Sequence, residues 1–118
     1  MSASSPEDCL FCTIVAGGIP ADVVHRTETT LAFRDVNPQA PTHVLVVPRA
    51  HHADAAALAQ AEPATLARLV DAAREVAAAE GLEDGYRLVF NTGAQAGQTV
   101  FHVHLHLLGG RDLGWPPG

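Results

Sequence analysis

The chain has 118 residues, 47% of them hydrophobic and 17% charged, with seven basic against thirteen acidic side chains for a net charge of −6. A chain of this length forms one domain that buries roughly two-thirds of its unfolded surface, so its core requires no disulfide framework. Lysine is absent and the arginines are scattered singly, which excludes the clustered basic face of a polynucleotide binder. No apolar run approaches the roughly twenty residues of a membrane helix, and the first residues lack a basic segment followed by an apolar one. Neither nucleic acid nor membrane is an expected partner, and the expected setting is the cytoplasm.

Residues 1 to 8 read as a flexible tail and 9 to 118 as a single domain. Apolar residues at 10, 11, 14 and 15 have helical spacing, and Gly17, Gly18 and Pro20 end that short helix. Three β-branched segments follow, Val23 to Arg26, Leu31 to Arg34 and His43 to Pro48, and these read as strands. The prolines between Asp35 and Thr42 mark a defined loop. Residues 54 to 80 read as the one long helix, with Leu66, Leu69, Val70, Ala73, Val76 and Ala77 on one face, Pro63 suited to a first turn and Gly81 placed to end it in a left-handed conformation. Strands over Tyr86 to Asn91 and Val100 to Leu108 complete the set. Five strands with one short and one long helix predict an α+β fold around an antiparallel sheet.

Seven histidines stand out in a chain so poor in other cations. Three of them, His102, His104 and His106, alternate with Val103, Leu105 and Leu107, so on a strand the imidazoles share one face and the apolar residues the other. Same-face neighbours lie about 6.7 Å apart along a strand, which prevents one metal from binding all three. A row of imidazoles suits covalent catalysis at phosphorus instead: a neutral imidazole attacks, and an adjacent imidazolium stabilises the oxyanion or protonates the leaving group. His104, flanked on both sides, is the natural nucleophile. The preceding loop, with Gly93, Gly97, Gln98 and Thr99, reads either as a plain connection or as a phosphate cradle of backbone N–H groups and side-chain donors. His25 and His52 match no motif and are expected to be solvated.

The run His102-Val-His-Leu-His-Leu-Leu108 resembles the signature of the histidine triad family of nucleotide hydrolases and transferases. Asp35 to His51 is similar to that family's first nucleotide-binding segment, Gly97-Gln98-Thr99 to its Gly-Gln-Ser, and the ending Gly109 to Gly118 to the Hint branch, the purine nucleoside phosphoramidases. The resemblance implies a homodimer in which two five-stranded sheets join into ten strands, and hydrolysis of purine nucleoside 5′-phosphoramidates to AMP or GMP and an amine. It implies that His104 becomes transiently nucleotidylated, that His106 contacts the phosphate, and that His102 and His43 orient the nucleophile. Asp35 would hold the ribose hydroxyls. Asn91, Gly97, Gln98 and Thr99 would hold the phosphate, with Thr99 also in the catalytic set. Phe11, Ile14, Ile19, Phe33 and Val36 match positions lining the purine pocket, although core packing equally explains their identities. Thr99 replaces the usual Ser, keeping the hydroxyl on a stiffer χ1, and His106 rather than Gln favours hydrolysis over transfer. The alternatives are a dinucleoside polyphosphate hydrolase of the Fhit-like type, against which the Trp-Pro-Pro-Gly ending argues, and a nucleotide-binding regulatory or scaffold protein with incidental catalysis.

Cys9-x-x-Cys12 has zinc-ligand spacing, but two further ligands are needed. The resemblance supplies His51 and His102, making a structural zinc site of four protein ligands. Two reduced buried thiols and a redox pair remain the other readings. No cofactor is expected in the chemistry itself.

Overall fold

In the computed structural model, residues 8 to 118 are described. The expected tail lies outside them apart from Asp8, which is exposed. One antiparallel sheet contains β1 (Val23–Arg26), β2 (Thr30–Arg34), β3 (Thr42–Pro48), β4 (Tyr86–Val89) and β5 (Leu105–Gly109), in the order β1-β2-β3-β5-β4. The helices are α1 (Leu10–Val15), α2 (Ala55–Ala61) and α3 (Pro63–Ala79). The α+β class and the five-stranded antiparallel sheet are as expected, but the expected long helix is two helices.

The division falls at Glu62-Pro63. A proline ring crowds the residue before it out of the α region, and Glu62 has φ −145° and ψ 70°, which ends α2 and lets Pro63 open α3 without losing a needed N–H. Asp54 caps α2 by accepting from the Ala57 N–H at 2.9 Å. At the far end Gly81 takes the expected left-handed conformation, with φ +74°.

Every residue of the central strand β3 is buried. Its near-continuous apolar run is explained by cover on both faces. Val44 and Val46 point into a core shared with Leu69, Ala73 and Val76 of α3 and with Val103, Leu105 and Leu107. Leu45 and Val47, one residue out of step, pack instead with Phe11, Leu31 and Phe33 under α1. Each fully buried leucine or valine in these layers contributes about 1.5–3 kcal/mol of transfer free energy.

The last strand is shorter than expected. Pairing with β3 starts at Leu105, opposite Val46; one step earlier the Val103 N–H donates to the His52 carbonyl at 2.8 Å rather than to a strand partner. His102 and His104 therefore precede β5, with His102 in a bend, yet the alternation survives. Burial of Val103 and Leu105 against α3 turns the histidines to the α1 face.

Candidate functional site

His104 is buried, and its Nδ1 lies 2.9 Å from the backbone carbonyl of His102. A carbonyl only accepts, so Nδ1 carries the hydrogen and Nε2 keeps its lone pair. Phe11 stands edge-on to the ring, with centroids 5.1 Å apart, and fixes its plane. Burial pushes the His104 pKa below the ordinary 6.5, against the hydrogen bond to the His102 carbonyl. The ring is thus neutral at pH 7 with one nitrogen free to attack. His102 was expected to orient this ring, and the group it presents to His104 is its main-chain carbonyl and not its imidazole.

His43 was expected to orient the nucleophile and instead pairs with His106, Nε2 to Nδ1, at 2.9 Å. Its Nε2 is also 3.4 Å from Asp35 Oδ2, and its Nδ1 accepts from the Gln39 N–H at 3.0 Å. The expectation of an imidazolium beside the nucleophile is not met. Burial, together with His104 and His43 nearby, lowers the His106 pKa to about 4, so this ring is a neutral donor. Asp35, His43 and His106 lie close enough together to hold a metal ion. A metal on His43 Nε2 would, however, require a hydrogen on Nδ1, directly against the Gln39 N–H, so the set fits a hydrogen-bonded relay and not a metal.

A cavity of about 650 Å³ opens onto these rings, lined by His104, His106, Asp35 and Thr99 and by the apolar Phe11, Ile14, Ile19 and Phe33. Val36, wholly exposed, stands at its rim. Leu10, Pro20, Ala21, Asp22, Arg34, Leu45 and Val100 also line it and were not anticipated. Leu45 was within reach of sequence reasoning, because it shares a strand face with His43. A polar hollow of about 560 Å³ beside Tyr86 and Arg111 contains none of the candidate residues.

Several amides of the loop before the triad are already bonded within it. Gly93 N–H donates to Gln98 Oε1 at 2.8 Å, while Gly97 N–H and Gln98 N–H donate to the carbonyls of Ala94 and Gly93. The Gln98 side chain, expected beside the phosphate, donates to the carbonyls of Ala53 and Val100 at 2.7 and 3.1 Å. Gln98 thus braces the loop from within, and Thr99 and Val100 are its residues that face the cavity. Asn91 is half-buried and outside the cavity lining.

Behind the triad, Cys9, Cys12, His51 and His102 present four ligand atoms within 4.8 Å of one another. His102 Nδ1 is 3.4 Å from each sulfur, and His51 Nδ1 is 3.3 Å from Cys12 Sγ. A tetrahedral zinc with the usual bond lengths spaces neighbouring sulfur and nitrogen ligands about 3.5 Å apart. The second shell agrees: His102 Nε2 lies 2.9 Å from the Pro48 carbonyl, so the hydrogen sits there and Nδ1 is left to ligate. Burial, reinforced by Cys9, raises the Cys12 thiol to about 11, so without a cation that sulfur stays protonated and a bound metal would displace its proton. Both cysteines are free thiols, and the residues present fit zinc. His25 and His52 are not simply solvated. His52 Nε2 meets Glu62 Oε2 at 2.8 Å, and His25 Nε2 stands 3.6 Å from Glu75 Oε2.

The family model for the HIT domain matches residues 16–113 of this chain. An uncharacterised HIT-like protein of Synechococcus elongatus is 50% identical over 112 residues, covering 95% of this chain and 98% of that protein. A 14 kDa zinc-binding protein of Zea mays is 49% identical over 112 residues, covering 92% and 87%. Among solved structures, a HIT family hydrolase from Legionella pneumophila superposes with a TM-score of 0.90 at 52% identity, covering 93% of this chain and 99% of that one.

Proposed function

The chain belongs to the HIT domain family, and from that premise we propose that it hydrolyses the P–N bond of purine nucleoside 5′-phosphoramidates, releasing the nucleotide and an amine. The observation that carries this reading is the His104 ring: hydrogen-bonded at Nδ1 to the His102 carbonyl, neutral, and on the wall of a cavity that Asp35, His106 and several apolar side chains also line. The apolar lining suits a purine among Phe11, Ile14, Ile19 and Phe33. Asp35, an acceptor-only carboxylate, suits the ribose hydroxyls.

In the proposed reaction His104 Nε2 attacks the α-phosphorus, the P–N bond breaks with its electron pair on nitrogen, and the amine departs with a proton from solvent, which the water attacking in the next step gives back. Water then attacks the nucleotidyl-histidine, returning His104 and releasing the nucleotide. His106 Nε2–H donates to a phosphoryl oxygen as charge builds there, and the Thr99 hydroxyl adds a second donor at the cavity mouth. Cys9, Cys12, His51 and His102 would hold a zinc that ties α1 to the triad segment and supplies no step of the chemistry. A cytoplasmic setting suits two unpaired thiols, and the terminal strand β4 is the edge at which a second subunit would extend the sheet into a homodimer.

Incubation with adenosine and guanosine 5′-phosphoramidates, with a diadenosine polyphosphate in parallel, tests the assignment. Amine release that disappears in His104→Ala is the expected result. Cleavage of the dinucleotide alone would transfer the chain to the polyphosphate hydrolases, and binding without cleavage of any of them would leave only a nucleotide-binding role.

A further inference from the structure

We propose that the Gln39 peptide, held by Arg111, sets the direction of the proton in the His43–His106 pair and so keeps His106 a neutral hydrogen-bond donor toward an anion seated at His104. The catalytic consequence rests on the phosphoramidase reading; the tautomer assignment does not.

The assignment follows from donors and acceptors alone. The Gln39 N–H points at His43 Nδ1 across 3.0 Å, so that nitrogen keeps its lone pair. A neutral His43 then carries its hydrogen on Nε2, which faces two acceptors, His106 Nδ1 at 2.9 Å and Asp35 Oδ2 at 3.4 Å. The opposite direction would leave His43 with lone pairs on both nitrogens, an imidazolate beside a carboxylate. A doubly protonated His43 would set Nδ1–H against the Gln39 N–H. One arrangement survives, and it passes to the next ring: His106 Nδ1 accepts, so His106 Nε2 carries the hydrogen. That atom is buried with no hydrogen-bond partner among the described residues, on a ring that lines the cavity with its centroid 5.0 Å from that of His104. A buried N–H left without an acceptor costs about 1–3 kcal/mol, which an incoming phosphoryl oxygen recovers.

Two clamps hold the peptide. Arg111 Nε donates to the Gln39 carbonyl at 3.0 Å, from 72 residues away in sequence. On the near side, Gln39 Nε2 donates to the Asn37 carbonyl at 3.0 Å, and the Asn37 N–H donates to Asp35 Oδ1 at 2.8 Å. Gly110, with φ +91°, brings the chain so close to Pro41 that a Cβ there would lie 3.0 Å from the proline ring. The C-terminal segment therefore seats on the loop that carries Gln39. Arg111 and Gln39 are positioning residues, acting on the ligand through two imidazoles.

Long-range nitrogen–proton NMR of the full chain with 15N-labelled histidine reads the tautomers directly. In the wild type, His43 and His106 should each be a single Nε2–H form. In Arg111→Ala both should become mixtures, with kcat on a phosphoramidate falling about tenfold while KM changes little, and Arg111→Lys should restore part of kcat. Gln39→Pro removes the N–H outright and should mix the tautomers even with Arg111 intact, so it decides the matter if Arg111→Ala unfolds. A wild-type His106 in the Nδ1–H form, or folded variants that keep single Nε2–H tautomers, would overturn the proposal. Correct tautomers in a protein that cleaves no phosphoramidate would sustain it and remove the functional reading alone.

Discussion

His102 serves two neighbours with two different groups. Its main-chain carbonyl accepts from His104 Nδ1 at 2.9 Å, while its imidazole Nδ1 stands 3.4 Å from the sulfurs of Cys9 and Cys12. One residue thus joins the His104 ring to the thiol cluster, and whatever loosens the cluster also loosens the carbonyl that holds that ring.

The first expectation concerns the metal. Protein purified without chelator should contain about one zinc per chain, and Cys12→Ser should reduce this toward zero. Because metal binding free energy is folding free energy, the melting temperature should fall by about 5–10 °C in the variant or on chelation of the wild type. Calorimetry with elemental analysis checks both; a zinc-loaded protein whose melting temperature ignores chelation would contradict the structural role.

Removing the proposed nucleophile should separate chemistry from binding. His104→Ala should lower kcat by about a thousandfold or more and leave AMP affinity within about threefold, because Asp35 and the apolar lining of the cavity are untouched. Rapid quenching of the wild type during turnover should find the nucleotidyl group on His104, as mass spectrometry of the peptide would reveal.

Acid should destabilise the fold through the site. The His106 pKa is lowered from 6.5 to about 4, by burial first and then by His104 and His43; burial shifts His43 and His104 in the same direction. The unfolded chain therefore binds more protons than the native one between those values, so this contribution is complete above pH 6.5 and is lost as the pH falls toward 4. Urea midpoints measured at pH 7.5, 6 and 5 should fall with pH, and less steeply in His106→Gln. An equal slope in that variant would dissociate the effect from His106.

Gln98→Ala should behave as a loop mutant. It removes a brace that bonds Gly93, Ala53 and Val100 at once and leaves the half-buried Ala53 and Val100 carbonyls without that donor. A stability loss of about 1–3 kcal/mol is expected, with KM rising more than kcat falls as Thr99 loses its support. Denaturant titration and steady-state kinetics measure the two effects, and a variant with wild-type stability would show that the brace carries no energy.

Much of the site was legible in the chain. Strict alternation from His102 to Leu108 sorts imidazoles from apolar residues even though pairing begins only at Leu105, because Val103 and Leu105 are buried against α3 whether or not they are in a ladder. Cys9 and Cys12 have the spacing of a ligand pair, and resemblance places His51 and His102 beside them. Pro63 does stand in the first turn of a helix, but the break before it is hidden in the sequence, since alanine-rich periodicity runs through both halves and only the backbone of Glu62 shows where it stops.

Residue types and their periodicity determined the sheet, the face on which the histidines lie, the central position of His104 and the absence of a basic surface, because these depend on side-chain identity and the two-residue repeat. Tertiary structure alone decided that His43 bonds His106 and not His104, that the Gly93, Gly97 and Gln98 amides are bonded within their loop, and that the His102 carbonyl meets His104 Nδ1. Each depends on backbone N–H and C=O groups brought together from distant segments. Those groups are the same in nearly every residue, so their partners are chosen by the fold and leave no mark in the sequence.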